Sequence, residues 1–142
     1  MTIIESIKEY IATCPYLEEN STIHYNDADL AIGDYSLDSI AEEIIEKQYL
    51  SGDSIRVYPF KFTFSGSMAD DAERLNNNVF MENFVAWLES QSKNGILPNL
   101  GSNKDSFAIN AVKWGYFNYL ESPITSGKYQ IECKLFYYQK GN

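Results

Sequence analysis

The chain has few of the residues that most often carry catalysis or bind metals. Its 142 residues include one histidine, His24, and two cysteines, Cys14 and Cys133. Any histidine-dependent triad or metal site would have to use His24, which lies near Asp27, and we expect an ordinary surface histidine instead. The cysteines have no CxxC or histidine spacing, which favours two buried thiols, with a disulfide between them as the less favoured alternative.

Basic residues are also scarce. Eleven Lys and Arg stand against 20 Asp and Glu, and the net charge of −9 argues against a protein that grips nucleic acid by neutralising phosphates. The charge is unevenly spread, because residues 9–46 contain ten acidic residues and no Lys or Arg, whereas residues 106–142 contain four Lys and two Glu. The sequence therefore predicts a subunit with an acidic end and a mildly basic end.

Long apolar runs and targeting signals are absent as well. No apolar run is long enough to span a bilayer, and the N-terminus lacks the basic region, apolar stretch and cleavage site of a secretory signal. We expect a soluble protein that is made in the cytosol and does not bind membranes.

The motifs of phosphate binding, nucleophilic catalysis and calcium binding are missing. GxGxxG, GxxxxGK[ST] and GxSxG do not occur. A calcium loop starting at Asp27 needs glycine at its sixth position and glutamate at its twelfth, where this chain has Ile32 and Asp38. Neighbouring carboxylates such as Asp70 and Asp71 diverge from each other and suit a solvated surface. We therefore predict no catalytic residue, no cofactor and no metal site.

Aromatic residues, in contrast, are abundant, with 11 Tyr and 8 Phe. Tyr58, Phe60, Phe62 and Phe64 alternate like the stacking platform of a single-strand-binding protein, but the basic groove that such a platform needs is missing. The row is therefore assigned to the core. A chain of this length can form a single domain around one core, here residues 1–142.

Capping signals and helical spacing predict two main helices. Thr2 and Glu5 fit a capping box that begins a helix over residues 3–13. Apolar residues at helical spacing predict a second helix over 77–93, after a separate turn of helix at 70–76.

Alternating apolar residues predict six strands, two of which form a hairpin through Ser51–Asp53. Pro59 inside the fourth of them indicates an edge position or a bulge. We expect an α+β fold with the two main helices packed on a largely antiparallel or mixed sheet. The predicted strands cover residues 22–25, 35–40, 43–50, 54–65, 107–121 and 128–139.

Residue parity predicts which side chains share a face of these strands. One face of the fourth strand should carry Arg56 together with the aromatic row. The fifth strand should place Phe107, Ile109, Ala111, Gly115, Phe117 and Tyr119 on one face, and the sixth should do the same with Tyr129, Ile131, Cys133, Leu135 and Tyr137.

Four segments, taken together and in order, resemble a known family. They are Ile7–Leu17 (IKEYIATCPYL), Lys47–Phe60 (KQYLSGDSIRVYPF), Phe84–Pro98 and Tyr129–Tyr138 (YQIECKLFYY). They are similar to the minor capsid or tail-completion proteins of siphophages and prophages of Gram-positive bacteria. The resemblance does not extend to the acidic segment Glu18–Asp38, which has no assigned place in the family pattern.

This resemblance implies a tail-terminator-like structural protein of the virion, made in the host bacterial cytoplasm. Such proteins cap the finished tail as a ring, commonly a hexamer, that contacts the tail tube and the head-connector proteins. It implies no enzyme activity and no sequence-specific binding of nucleic acid. A head-side connector, an adaptor outside phages, and a small-ligand-binding or enzyme domain of unknown substrate remain as alternatives.

Two segments are predicted to supply the assembly contacts, because each projects from the sheet and a long loop in a small domain usually has a use. They are the hairpin tip and the loop Asn94–Lys104. The candidate interface residues are Leu50, Ser51, Gly52, Asp53 and Ser54 in the tip, and Leu97, Pro98, Asn99 and Leu100 in the loop.

Overall fold

The computed structural model describes residues 1–27, 30–40, 43–118 and 126–141. It confirms the α+β class, with two helices and a six-stranded mixed sheet. In chain order the elements are α1 (Ile3–Ile11), β1 (Ile23–Tyr25), β2 (Tyr35–Ser39), β3 (Ile44–Gln48), β4 (Ser54–Ser67), α2 (Asp71–Lys93), β5 (Lys104–Asn118) and β6 (Ser126–Gln139).

Strand β4 lies at the centre of the sheet. It pairs antiparallel with β6 from Ser54 opposite Gln139 to Ser67 opposite Ser126, and β6 pairs antiparallel with β5. On its other side β4 pairs antiparallel with both β2 and β3, and β1 lies parallel to β2. The strand order is β1-β2-β4-β6-β5, with β3 also beside β4. The predicted hairpin is confirmed as β3 and β4.

Pro59 lies in this central strand, so the predicted edge position or bulge is wrong. Along β4, the pairing with β3 ends at Val57 and the pairing with β2 begins at Phe60, so neither ladder includes Pro59. Ser65 lies six residues after Pro59, and because the register of β4 is unbroken, the backbone nitrogens of both residues point to the same side of the strand. The Ser65 N–H donates to the Asp34 carbonyl, which lies on the β2 side of β4. The proline nitrogen therefore faces the junction between β2 and β3, where the ladders of the described strands need no donor.

Both helices begin at side-chain caps. The Thr2 N–H donates to Glu5 Oε1 at 2.9 Å and the Glu5 N–H donates to Thr2 Oγ1 at 3.3 Å, which confirms the capping box. Helix α2 starts at Asp71, because the Asp70 carboxylate accepts the Glu73 N–H at 2.9 Å. The predicted separate turn at 70–76 is therefore wrong, since these residues are the first turns of one 23-residue helix.

One hydrophobic cluster joins both helices to one face of the sheet, which we call the helix face. Phe84 of α2 stacks on Phe62 of β4 with 4.6 Å between ring centroids, and Tyr10 of α1 lies 5.4 Å from Trp87 of α2. The aromatic row of β4 is core, as predicted. The cluster includes Ile7, Ile11, Leu37, Phe60, Phe62, Phe84, Leu88, Ile109, Ile131 and Leu135, each with no exposed surface.

The predicted alternation holds in β6 but fails in β5. Residues 129, 131, 133 and 135 all belong to the core cluster. In β5 the pairing with β6 shifts at residues 107, 112 and 117, and each bulge changes which parity faces the core. Ile109 and Ala111 still face the core, but Gly115 pairs with Gln130 on the opposite face. The single predicted face from 107 to 117 is therefore wrong, and residue 119 lies outside the described residues.

Several element limits also differ from the prediction. Helix α1 ends two residues earlier, at Ile11, and β5 starts three residues earlier, at Lys104. Strand β6 starts at Ser126, inside the predicted turn. The predicted end of the fifth strand at 119–121 lies outside the described residues.

Two leucines of α2 provide a matched test of this packing. Leu88 is fully buried in the cluster, whereas Leu75 is 61% exposed. Leu88→Ala should lower the free energy of unfolding by about 2–5 kcal/mol, and Leu75→Ala should change it by less than about 0.5 kcal/mol. Urea unfolding measures both, and equal losses would contradict the assignment of α2 faces.

Candidate assembly surface

His24 is held between two carboxylates. Its Nε2 lies 3.2 Å from Asp34 Oδ2, and its Nδ1 lies 3.9 Å from Asp27 Oδ2. Asp34 also accepts the Thr22 N–H at 3.0 Å, and this bond, together with the one to His24, lowers the pKa of Asp34. These contacts brace β1 against the start of β2. Within the described residues, no group of three His, Cys, Asp or Glu side chains could hold a metal ion.

The two cysteines are free and buried in the core cluster, as the sequence favoured. Burial raises the pKa of both thiols above the ordinary value. A buried thiol with a raised pKa is a poor nucleophile, because the thiolate is the reactive form.

A cavity of about 460 Å³ lies between residues 18–21, the end of β4 and the first turns of α2. Some of the polar groups that line it bond to other groups of the protein. Ser67 Oγ donates to Glu73 Oε2 at 2.5 Å, and Asn77 Nδ2 lies 2.9 Å from the Ser67 carbonyl and 3.3 Å from Tyr129 Oη. This arrangement stabilises the start of α2.

The predicted hairpin tip is a tight turn that exposes one large apolar side chain. The Tyr49 N–H donates to the Asp53 carbonyl at 2.8 Å, and Gly52 takes a φ of 95°, which favours glycine. The Leu50 side chain is fully exposed.

Asp53 ties the tip to the end of the chain. Its carboxylate accepts the Tyr138 hydroxyl and the Gly141 N–H, the latter at 2.7 Å, and these bonds lower its pKa. Gly141 packs so closely that a Cβ there would lie 2.5 Å from the Gly52 carbonyl carbon. The tip is therefore held against the last residues of β6 and the residues that follow it.

The second predicted segment, the loop after α2, lies against the body of the protein more than it projects. Leu97 and Leu100 pack against the core and Pro98 is buried, so Asn99 is the exposed member of the four candidates. The Tyr10 hydroxyl donates to the Ile96 carbonyl at 2.8 Å, while the Ile96 side chain is 52% exposed.

Both predicted segments lie at the same end of the sheet. Ser54, Gln139 and Lys104 form one row across three strands, which places Ser54 and Lys104 about 10 Å apart. The Lys140 N–H donates to the Asn103 carbonyl at 2.9 Å, one residue before the Gly141 contact with the tip. The structure thus brings together two segments that are 40 residues or more apart in sequence.

A buried polar cluster near this end was missed by the sequence analysis. The Glu43 carboxylate accepts the hydroxyl of Tyr137, which has no exposed surface, and pairs with the Arg56 guanidinium. The Arg56 Nε donates to Ser54 Oγ at 3.0 Å. These bonds anchor the start of β3 on the helix face. The only sequence signal was an arginine in phase with the aromatic row.

The charged residues separate across the sheet. The acidic span 9–46 includes β1, β2 and the first part of β3, and these three strands lie on one side of β4, while β5 and β6 on the other side carry most of the C-terminal lysines. One row of the face opposite the helices alternates in sign across four strands: Asp38, Lys61, Glu132 and Lys113. Within it, Lys61 Nζ lies 3.8 Å from Glu132 Oε1.

Both sides of the sheet also expose large apolar side chains. On the β1 and β3 side, Tyr25 is 40% exposed and Ile44 and Ile45 are each 49% exposed. On the β5 side, Val112 is 53% and Trp114 is 48% exposed. Exposed apolar residues along sheet edges are typical of interaction surfaces.

Comparison with known proteins adds no assignment. No protein-family model matches the chain, and no curated protein matches it. Neither helix of the described residues is long and apolar enough to cross a membrane.

The Glu43 cluster gives a prediction about β3. Glu43→Ala should lower the free energy of unfolding by about 2 kcal/mol, because the buried Tyr137 hydroxyl and the Arg56 guanidinium lose their acceptor. Glu46→Ala, at an exposed position within β3 itself, should change it by less than about 0.5 kcal/mol. Chemical denaturation measures both, and a Glu43→Ala variant as stable as Glu46→Ala would refute the anchoring role.

Proposed function

We propose that this protein is a structural component of a tailed-phage virion that completes the tail and joins it to the head as a self-assembled ring. The observation that carries the proposal is the difference in charge between the two sides of the sheet. One side is acidic, the other is lysine-bearing, and both expose apolar residues. Such a subunit suits head-to-tail contacts, in which one patch meets a different patch of the next copy.

A head-to-tail contact that closes gives a ring, and the resemblance to tail-completion proteins favours a hexamer. The ring would contact the tail tube on one face and head-connector proteins on the other. With a net charge of −9 per subunit, its opening would repel phosphates, so DNA could pass without sticking. The protein would be made in the host bacterial cytoplasm and would end in the virion.

The competing proposal is a small-ligand-binding or enzyme domain. The cavity beside α2 is one place for such a site, and there the Ser67, Glu73 and Asn77 side chains already bond within the protein. The cavity is therefore weaker support for a ligand-binding or enzyme domain than the two chemically unlike sides of the sheet are for assembly.

The proposal predicts reversible formation of one discrete oligomer. Sedimentation from about 1 µM to 1 mM should show a monomer converting to a single larger species, and added salt should shift the equilibrium back because opposite charges meet at the contact. Electron microscopy of the large species should show rings. A chain that stays monomeric over this range, with or without assembled tail tubes, would contradict the proposal.

Matched variants test the predicted contact segments in the same assay. Leu50→Glu in the tip and Asn99→Glu in the loop should shift the oligomer towards monomer. Leu75→Glu places the same charge on an exposed site of α2 and should leave the equilibrium unchanged. Rings that form equally well in all three variants would remove the tip and the loop from the interface.

A further inference from the structure

The sheet has two unlike edges. One edge is β1 and the other is β5, and no strand within the described parts of the chain pairs beyond either. An unpaired strand edge offers a row of backbone N–H and C=O groups to another chain. Proteins that avoid such pairing place lysine or proline there, and β5 does carry Lys113, but both edges also expose aromatic side chains, Tyr25 on β1 and Trp114 on β5.

The two halves of β5 differ in how open their edge is. The N–H of Ile109, which is directed away from β6, donates to Ser92 Oγ at 3.2 Å, at the end of α2. Ser106 Oγ donates to the Pro98 carbonyl at 2.7 Å. The end of α2 and the following loop therefore lie along the first half of β5. The second half, from about residue 111 onwards, is the part that a partner strand can reach.

Strand direction fits a pairing between copies. Strand β5 runs in the same direction as β4, since both are antiparallel to β6, whereas β1 and β2 run opposite to β4. Two copies in the same orientation, placed side by side, therefore bring β1 of one antiparallel to β5 of the other. This is the arrangement that a ring with strands along its axis produces.

Backbone parity selects the register. The Asn26 N–H donates to the Leu37 carbonyl, and the Tyr35 N–H donates to the Thr22 carbonyl. The backbone groups of the even-numbered residues in and beside β1 therefore point towards β2, and the N–H and C=O of Tyr25 point away from the sheet. Trp114 pairs with Ile131, whose own backbone groups face β4, so the N–H and C=O of Trp114 also face outward. Both side chains lie on the helix face.

With no offset along the strands, Tyr25 and Trp114 fall in one row, together with Leu37, Phe62 and Ile131. Their outward backbone groups then meet as a hydrogen-bonded antiparallel pair. A slip by one residue would set outward-pointing backbone groups of one strand against inward-pointing backbone groups of the other. It would also place the Tyr25 and Trp114 side chains on opposite faces of the sheet. In the same register Lys113 comes opposite the uncharged Asn26, one residue away from Asp27.

We propose that the β1 edge of one copy pairs with residues 113–116 of β5 in a second copy, antiparallel and without offset, so that the sheet continues across the subunit boundary. This inference rests on the proposed function and names the contact that closes the ring. Charge complementarity identifies the occupant as a second copy, because the acidic side of one subunit then faces the lysine-bearing side of the next.

Disulfide trapping tests the pairing in the assembled full-length chain. Opposed residues of an antiparallel pair have Cα separations that suit a disulfide. The variant Tyr25→Cys/Trp114→Cys, oxidised with copper phenanthroline, should lose its monomer band and give a ladder of linked subunits on non-reducing gels. Each single variant, and the wild type with its two buried cysteines, should stay monomeric on the gel.

The matched control is His24→Cys/Trp114→Cys, which moves one cysteine by one residue to the other face and should not cross-link. Sedimentation of the reduced variants separates the two proposals. Rings that form while Tyr25→Cys/Trp114→Cys fails to cross-link, or cross-links no better than the control, would overturn the edge pairing and leave the ring intact. A pairing with an extended segment of another protein would give the same negative result. Absence of rings from the wild type would instead count against the proposed function.

Discussion

The structure depends on the ladder between β4 and β6. Its 14 opposed residue pairs join the middle of the chain to its end without a register shift. Strands β2 and β3 attach to β4, β5 attaches to β6, and α2 packs on the ladder where Phe84 stacks on Phe62. Because the register is unbroken, one alternation decides which side chains face the helices and which backbone groups point towards each side of the sheet. The position of Pro59 and the outward groups of Trp114 follow from that alternation.

The same ladder separates the acidic part of the chain from the part that carries the C-terminal lysines. Strands β1, β2 and β3 lie on one side of β4, and the sequence from Glu9 to Glu46, which spans β1, β2 and the first part of β3, has ten acidic residues and no Lys or Arg. Strands β5 and β6 lie on the other side. The two edges are therefore chemically unlike, and a subunit with unlike edges is suited to head-to-tail contacts more than to a symmetric dimer. The proposal of a ring and the proposal of a specific strand pairing both start from this asymmetry.

Local signals in the sequence predicted much of the fold. The Thr2 and Glu5 cap, the aromatic alternation of β4 and the glycine turn at Gly52 act between near neighbours, so their patterns are visible without a structure. The β5 bulges were missed because residues 107, 112 and 117 are all apolar and do not disturb the pattern on which the prediction relied. The bond from Tyr137 to Glu43 spans 94 residues, and the nearer carboxylate of His24 proved to be Asp34. Such contacts depend on strand order, which no local pattern encodes.

Amide hydrogen exchange of single residues, compared between dilute and concentrated protein, tests the account most directly. The N–H groups of Tyr25 and Trp114 point away from the sheet of their own subunit, so they should exchange quickly in the monomer. The account predicts that both become protected together as the oligomer forms. Oligomers in which Tyr25 and Trp114 exchange as quickly as in the monomer would contradict it.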